Sequence, residues 1–263
     1  MRTSILILVI SIGISACKDR NTNQGNSVSC LPAGLQNGLI AAYSFSNGSL
    51  LDVTGAGNNL AKTGPATPAA DRDGNASCAY QFVNTASTPS FLSTSQTGFL
   101  NGMSDFSVSI WYKPLGPRSG GDFEALLGRG NQGHCPDRLG EWSVGLYDCR
   151  RAVFGHDNSV WADFTTPYSD NRCQDEMDNL ENKWQHAIAV KQGNNFKIYF
   201  NGVLQETAVG PANCGNNTYT AQDTGDLFIG NRFNGLIDDV LLYERALTDQ
   251  EVSTLFTLEP CCE

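Results

Sequence analysis

The sequence predicts an all-β protein, a two-layered antiparallel sandwich with one short helix near its C-terminus. Apolar and aromatic side chains recur at every second position in several short runs, the period of a strand with one buried face. Gly, Asn, Ser and Thr fill the intervals, as turns between strands require. Only one segment, near residue 250, has helical character, and the chain contains neither a strand–helix–strand alternation nor an internal repeat.

The chain opens on Met1-Arg2, which supplies one positive charge, and an apolar run from Ile5 to Ile14. That run is about ten residues, too short for a helix to span about 30 Å of hydrocarbon but long enough for the apolar region of a secretory signal. It ends Ile14-Ser15-Ala16-Cys17, which resembles the lipobox of bacterial lipoproteins. The resemblance implies cleavage before Cys17 and lipidation of Cys17, a membrane anchor worth roughly 0.8 kcal/mol per buried methylene. The alternative is an ordinary signal peptide with Cys17 incidental. Lys18-Asp19 resembles the short charged signal some bacterial lipoproteins use for display on the outer surface. Residues 1–16 are read as a lipoprotein signal peptide, and residues 17–33, polar and aperiodic, as a flexible tether.

From Gly38 the pattern changes. Leu39, Ala41, Tyr43 and Phe45 alternate with smaller partners. So do Phe106, Val108, Ile110 and Tyr112, then Trp184, His186, Ile188 and Val190, then Phe196, Ile198 and Phe200. Asn201-Gly202 follows, a pair that accepts positive φ cheaply and marks a hairpin leading into Val203 and Leu204. Leu227 to Ile229 and Ile237 to Tyr243 complete the predicted strands. Thr248-Asp249-Gln250-Glu251 is a capping box, with Leu247 and Val252 placed as a hydrophobic staple, and predicts the single helix.

Composition narrows function. The formal net charge is −10, which excludes the basic footprint of a nucleic-acid binder. Nine cysteines are present. With Cys17 assigned to lipid, eight remain: Cys30, Cys78, Cys135, Cys149, Cys173, Cys214, Cys261 and Cys262. An even set in an exported chain argues for disulfides, and the absence of paired C-x-x-C motifs argues against a structural zinc site. Spacing leaves the connectivity open. Cys135 with Cys149 would close one hairpin, and Cys173 with Cys214 the next loop.

Two stretches carry a family resemblance. The first runs from Gly38 to Phe45 and on through Leu51-Asp52-Val53-Thr54-Gly55-Ala56-Gly57-Asn58-Asn59-Leu60. The second comprises Trp184 to Val190, Ile198 to Gly202, Ile229-Gly230, and Phe233 through Asp238-Asp239-Val240 to Leu247. In that order and spacing they resemble the laminin-G-like, concanavalin-A-like jelly-roll domains of bacterial surface proteins. The resemblance implies a two-sheet jelly roll over 34–258, followed by a Cys-containing tail at 259–263. It sets apart residues 113–183, which are longer than the family's usual linker. It also implies that the first strand lies beside the last, which would let Cys30 and Cys78 pair with Cys261 and Cys262.

The implied topology would bring Asp52 and Asn58 near Asp238, and these three are the candidate ligands for a structural Ca²⁺. The alternative is that Asp52 and Asn58 cap a turn while Asp238 makes a buried hydrogen bond. Tyr147, Trp161, Tyr168 and Arg150 lie in the cysteine-rich segment and are the candidate ligand-binding residues, through ring faces that stack on sugars; the alternative is a satellite core. Glu176, Asp178 and Glu181 have the spacing of a catalytic strand in jelly-roll glycoside hydrolases, but their turn-like flanks read as a solvated loop. His186 reads as a hydrogen-bonded core residue, and His134 and His156 as loop residues. The expectation is a lipid-anchored, exported, non-catalytic module of the bacterial cell envelope that binds a glycan or protein ligand. A scaffold lipoprotein or, less favoured, a glycoside hydrolase are the alternatives.

Overall fold

The first and last strands of the described chain lie side by side. The structure, a computed structural model, describes residues 28–116, 123–130, 141–147, 150–156, 160–163, 182–209 and 225–262. Strand β1 (Leu39–Tyr43) pairs antiparallel with β15 (Gly235–Tyr243), and Tyr43 is the register partner of Val240. The first half of β15 pairs with β4 (Ala79–Phe82), and its other edge pairs with β6 (Phe106–Pro114). A bulge between Asp238 and Leu241, with Asp239 at φ 40°, separates the two halves.

Around this strand stand two antiparallel sheets. The first has eight strands, in the order β13-β12-β11-β6-β15-β4-β3 with β1 beside β15; here β3 is Thr67–Ala69, β11 is Gln185–Gln192, β12 is Asn195–Phe200 and β13 is Val203–Val209. The second has seven, ordered β10-β9-β8-β7-β14-β5-β2. Its members are β2 (Ala61–Thr63), β5 (Phe91–Thr94), β7 (Phe123–Arg129), β8 (Trp142–Tyr147), β9 (Arg151–His156), β10 (Val160–Asp163) and β14 (Leu227–Ile229). The architecture is the predicted jelly-roll sandwich. Segment 113–183 is not an appendage, however: it supplies β7 to β10 of the second sheet. These strands escaped the alternation test because β7 is buried along its whole length.

Between the sheets lies one apolar core, in which Tyr43, Phe82, Ile110, Ile198 and Ile237 of the first sheet meet Leu92, Leu127, Val144, Phe154 and Leu227 of the second. The outer face of the first sheet is covered too. Val28, Leu31 and Leu35 at the start, and Val252 and Leu255 of helix α2 (Asp249–Thr257), pack on Ile188, Val190, Leu241 and Tyr243. Residues 28–33, read from sequence as tether, therefore belong to the packed domain, and a four-residue helix α1 (Ala33–Gln36) follows them. Thr248 and Glu251 form the expected capping box, and Leu247 and Val252 are both buried. Disulfides join Cys30 to Cys261 and Cys78 to Cys262, the pairing implied by the meeting of the ends. The expected Cys135–Cys149 and Cys173–Cys214 pairs lie outside the described residues, as does Cys17. No helix among the described residues is long and apolar enough to cross a membrane.

Gly230 follows β14 at φ +77°, and a Cβ there would stand 2.4 Å from the Phe82 ring. Left-handed backbone strain and overpacking add, so Gly230→Ala is expected to lower stability by about 2–4 kcal/mol, read by urea denaturation.

Candidate functional site

Strand register places a row of residues across the outer face of the second sheet. Trp161 of β10 stands opposite Gly155, which stands opposite Ser143; Gly128, Phe228 and Ser93 continue the row on β7, β14 and β5. Their chain neighbours Val144, Leu127, Leu227 and Leu92 point into the core. The middle of the row is built of small residues and is buried, as are Gly145 and Val153 one row along. At the β5–β14 end the face opens. Phe91 and Phe228 are half-buried and meet edge to face, their centroids 5.4 Å apart. Ser93 lies opposite Phe228, and the exposed Thr63 and Ala61 of β2 lie opposite Phe91 and Ser93. This end therefore presents two aromatic rings among hydroxyl-bearing side chains. Sequence reading missed Phe91 and Phe228; the only available signal was the short Phe91–Thr94 run, which is too brief to show a period.

The residues expected to bind ligand fare differently. Tyr147 is half-buried on the same outer face, packed against Phe123, Ala125 and Val153, the satellite core of the alternative reading. Trp161 holds its row position in β10, while Tyr168 lies outside the described residues. Arg150 is a correction. It is buried inside the sandwich, donating to Glu124 at 3.1 Å and to the Gly116 carbonyl at 2.6 Å. A cation this deep must be paired, so Arg150 cannot reach a ligand. Burial, then the Glu124 carboxylate, raises the nearby Tyr112 hydroxyl above its ordinary range.

The three expected calcium ligands are divided by the fold. Asp52 and Asn58 lie together in a loop pinned to β1. Asp52 Oδ1 accepts from the Ala42 N–H, the Thr54 N–H and the Thr54 hydroxyl, and Oδ2 accepts from the Asn58 N–H. Asn58 Nδ2 donates to the Ile40 carbonyl. Asp238 belongs to a different cluster, in which Arg72 Nη1 donates at 2.8 Å to both Asp238 and Asp239. As a set these residues do not fit Ca²⁺: the Asp52 loop is bonded to β1, while at Asp238 the Arg72 guanidinium already supplies the positive charge. A cavity of about 470 Å³ beside the Asp52 loop is lined by Ser44, Ser46 and Cys261. Its hydroxyls bond to one another and to the Cys261 carbonyl.

Arg72 organises the outer face of the first sheet. Its guanidinium lies 4.5 Å over the Trp111 ring. Trp111 stacks on His186 at 4.6 Å, and Phe256 of α2 closes the stack. His186 Nε2 shares a 2.8 Å hydrogen bond with the Ser109 hydroxyl, so it is the expected bonded interior histidine, although under the helix rather than between the sheets. Burial, then Arg72, lowers it to about 3. His156, expected in a loop, is instead an interior residue of β9; burial, then Lys191, lowers it to about 3. Both imidazoles are neutral at physiological pH. Asp238 is held well above the usual carboxylate range, by burial first and then by Asp239, with Arg72 opposing; Asp239 is raised by burial. His134 and the Glu176, Asp178 and Glu181 run lie outside the described residues.

A family model described as the concanavalin A-like lectin/glucanases superfamily matches residues 84–253. No curated protein sequence matches the chain significantly. The binding domain of botulinum neurotoxin serotype C1 superposes with a TM-score of 0.61 at 15% identity, covering 84% of this chain and 52% of the toxin domain. The binding domain of botulinum neurotoxin DC, in complex with SialylT, gives 0.60 at 15% identity, covering 83% and 50%. Domain 4 of AbnA, a GH43 extracellular arabinanase from Geobacillus stearothermophilus, in complex with arabinotriose, gives 0.55 at 22% identity, covering 83% and 98%. At these identities the likeness is one of fold, and the chain spans about half the length of the toxin binding domains it matches.

The Arg72 cluster generates a pH test. A carboxyl whose folded value is raised takes up protons on folding, so its contribution to stability declines as pH rises above the unfolded value of 3.8. Glu251 runs the opposite way. Arg245 holds it near 2, and its contribution is lost as pH falls below 4.5. Arg72→Met retains the Glu251 term but leaves two buried carboxylates uncompensated. It is expected to cost about 3–5 kcal/mol near neutrality and much less near pH 4, where the pair protonates. Urea denaturation at the two pH values checks this; an equal cost at both would contradict the assignment.

Proposed function

The chain belongs to the concanavalin A-like lectin/glucanases superfamily, and from that premise we propose that it is a non-catalytic binding module for a glycan or a protein ligand. The observation that carries the reading is the open end of the second sheet's outer face, where Phe91 and Phe228 stand among Ser93 and Thr63. Ring faces offer apolar area to the C–H faces of a sugar or to an apolar side chain of a receptor, and neighbouring hydroxyls fix its orientation. The toxin binding domains and the arabinotriose-bound domain of similar fold support a binding role. A retaining hydrolase needs two carboxyls about 5–5.5 Å apart over its cleft, whereas Glu124 of β7 is turned inward to Arg150.

We further propose, from the lipobox-like Ile14-Ser15-Ala16-Cys17, a lipid anchor at Cys17 and export into the bacterial cell envelope.

Two measurements test these readings. On a glycan array probed with the chain from Lys18 onward, Phe228→Ala and Phe91→Ala are each expected to weaken binding roughly 10- to 100-fold, the loss of one buried ring, with melting temperatures near native. Retention of every array signal in both variants would move the site elsewhere, and no signal from the native protein would favour a protein ligand or a scaffold. In a bacterial host, metabolic labelling with a fatty acid is expected to mark the native chain and not Cys17→Ser; equal labelling of both would remove the anchor.

A further inference from the structure

We propose that Asp71, Cys78 and Cys262 form a thiol-gated binding site for a divalent transition metal, closed as a disulfide under oxidising conditions and able to take Zn²⁺ once that bond is reduced. One ligand atom from each of the three lies within 4.8 Å of the others. Two thiolates and a carboxylate, with water in the fourth position, make a tetrahedral set suited to zinc.

What makes this more than proximity is that each ligand is held by something other than the disulfide. Asp71 opens a tight loop in which its Oδ1 accepts the N–H groups of Asp73 and Asn75 and its Oδ2 accepts Asn75 Nδ2. Cys78 is buried, and its N–H donates to the Ala69 carbonyl just before β4. Cys262 lies in a tail fixed three times upstream: Arg72 Nη2 donates to the Leu258 carbonyl, the Cys261 N–H donates to Asp239, and Cys261 is bonded to Cys30. Breaking the Cys78–Cys262 bond therefore leaves both sulfurs beside Asp71, at an effective concentration set by the fold. Zinc–sulfur bonds of about 2.3 Å require the sulfurs to move apart, and Cys262, half-buried and outside any helix or strand, can supply that movement.

The covalent step balances. A dithiol donates two electrons and two protons and becomes a disulfide; Cys78 and Cys262 each gain one electron and one proton. Zinc then displaces both thiol protons to solvent.

Two arms test the site on the full chain. In the first, the protein is reduced with dithiothreitol, desalted without oxygen and titrated with Co²⁺ and then Zn²⁺. A thiolate-to-cobalt absorption band and 1:1 zinc binding are expected. Cys262→Ser should weaken binding at least about 100-fold and Asp71→Asn about 10-fold, while Cys149→Ser leaves it unchanged. In the second, Cys78→His with Cys262→His keeps the other disulfides oxidised and should bind Zn²⁺ without reductant, which separates the site's geometry from any loosening that reduction causes. Native-like metal binding in reduced Cys262→Ser, or no zinc binding by the double-histidine variant, overturns the proposal.

Discussion

The pairing of β1 with the second half of β15 is the constraint on which the rest depends. Residues near 40 and near 240 become neighbours, so nearly the whole polypeptide is one closed loop. The entropy of that closure grows only logarithmically with length, but it must be met before any contact across the seam forms. Cys30–Cys261 and Cys78–Cys262, at separations of 231 and 184, shift much of the cost onto the unfolded chain. On the chain-entropy account one such bridge is worth about 5 kcal/mol, and the second adds less because its loop shares nearly all its residues with the first. The seam is thus fastened by hydrogen bonds along β1 and β15 and by covalent bonds beside them.

The bulge in β15 explains why ionised groups sit at such a depth. One strand edge must serve β4 and then β1, and the irregularity at Asp238–Leu241 marks the handover. It turns two adjacent carboxylates toward Arg72. A buried trio of this kind contributes little net stability compared with a well-packed apolar substitute. Its consequence is specificity of register: Arg72 also binds the Leu258 carbonyl and covers Trp111, so the loop after β3, the bulge and the C-terminal tail fit together in one arrangement. The histidine in the same stack is neutral because burial disfavours its charged form, and the neighbouring Arg72 charge adds to that.

Legibility in the sequence followed burial geometry. Leu39 to Tyr43, Phe106 to Tyr112 and Gln185 to Val190 were readable because a strong apolar alternation runs through them. The helix was readable because Thr248 and Glu251 solve a local hydrogen-bonding problem that leaves a local signature. Strands β7 and β8 were not, because the outer face at Phe123, Ala125 and Gly145 is buried as well as the inner one, and a strand buried on both sides has no period of two. Ion pairs were the least readable feature. Arg150 finds Glu124 across 26 residues and Arg72 finds Asp238 across 166, distances at which spacing carries no information. The same limit misplaced the calcium set: topology correctly joined the ends, but nothing local revealed that an arginine would stand where a cation was expected.

The covering of the first sheet bears on where a ligand can sit. A sandwich has two outer faces, and here the chain spends its extremities on one of them. Val28, Leu31 and Leu35 from one end and Val252, Leu255 and Cys261 from the other bury Ile188, Val190 and Tyr243. Docking on that face would require displacing a helix held by a capping box and a tail held by two disulfides, at a cost far above what an ordinary ligand returns. Among the described residues, the opposite face at β5 and β14 carries no such cover, and it is there that Phe91 and Phe228 remain half exposed. At the β2–β5–β14 end, two aromatic rings stay half exposed among alanine, serine and threonine, which folding alone does not require. Covering what remains exposed of them would gain part of the roughly 1.5–3 kcal/mol that full burial of such a ring is worth, which is the physical basis of the binding role proposed for this end of the sheet.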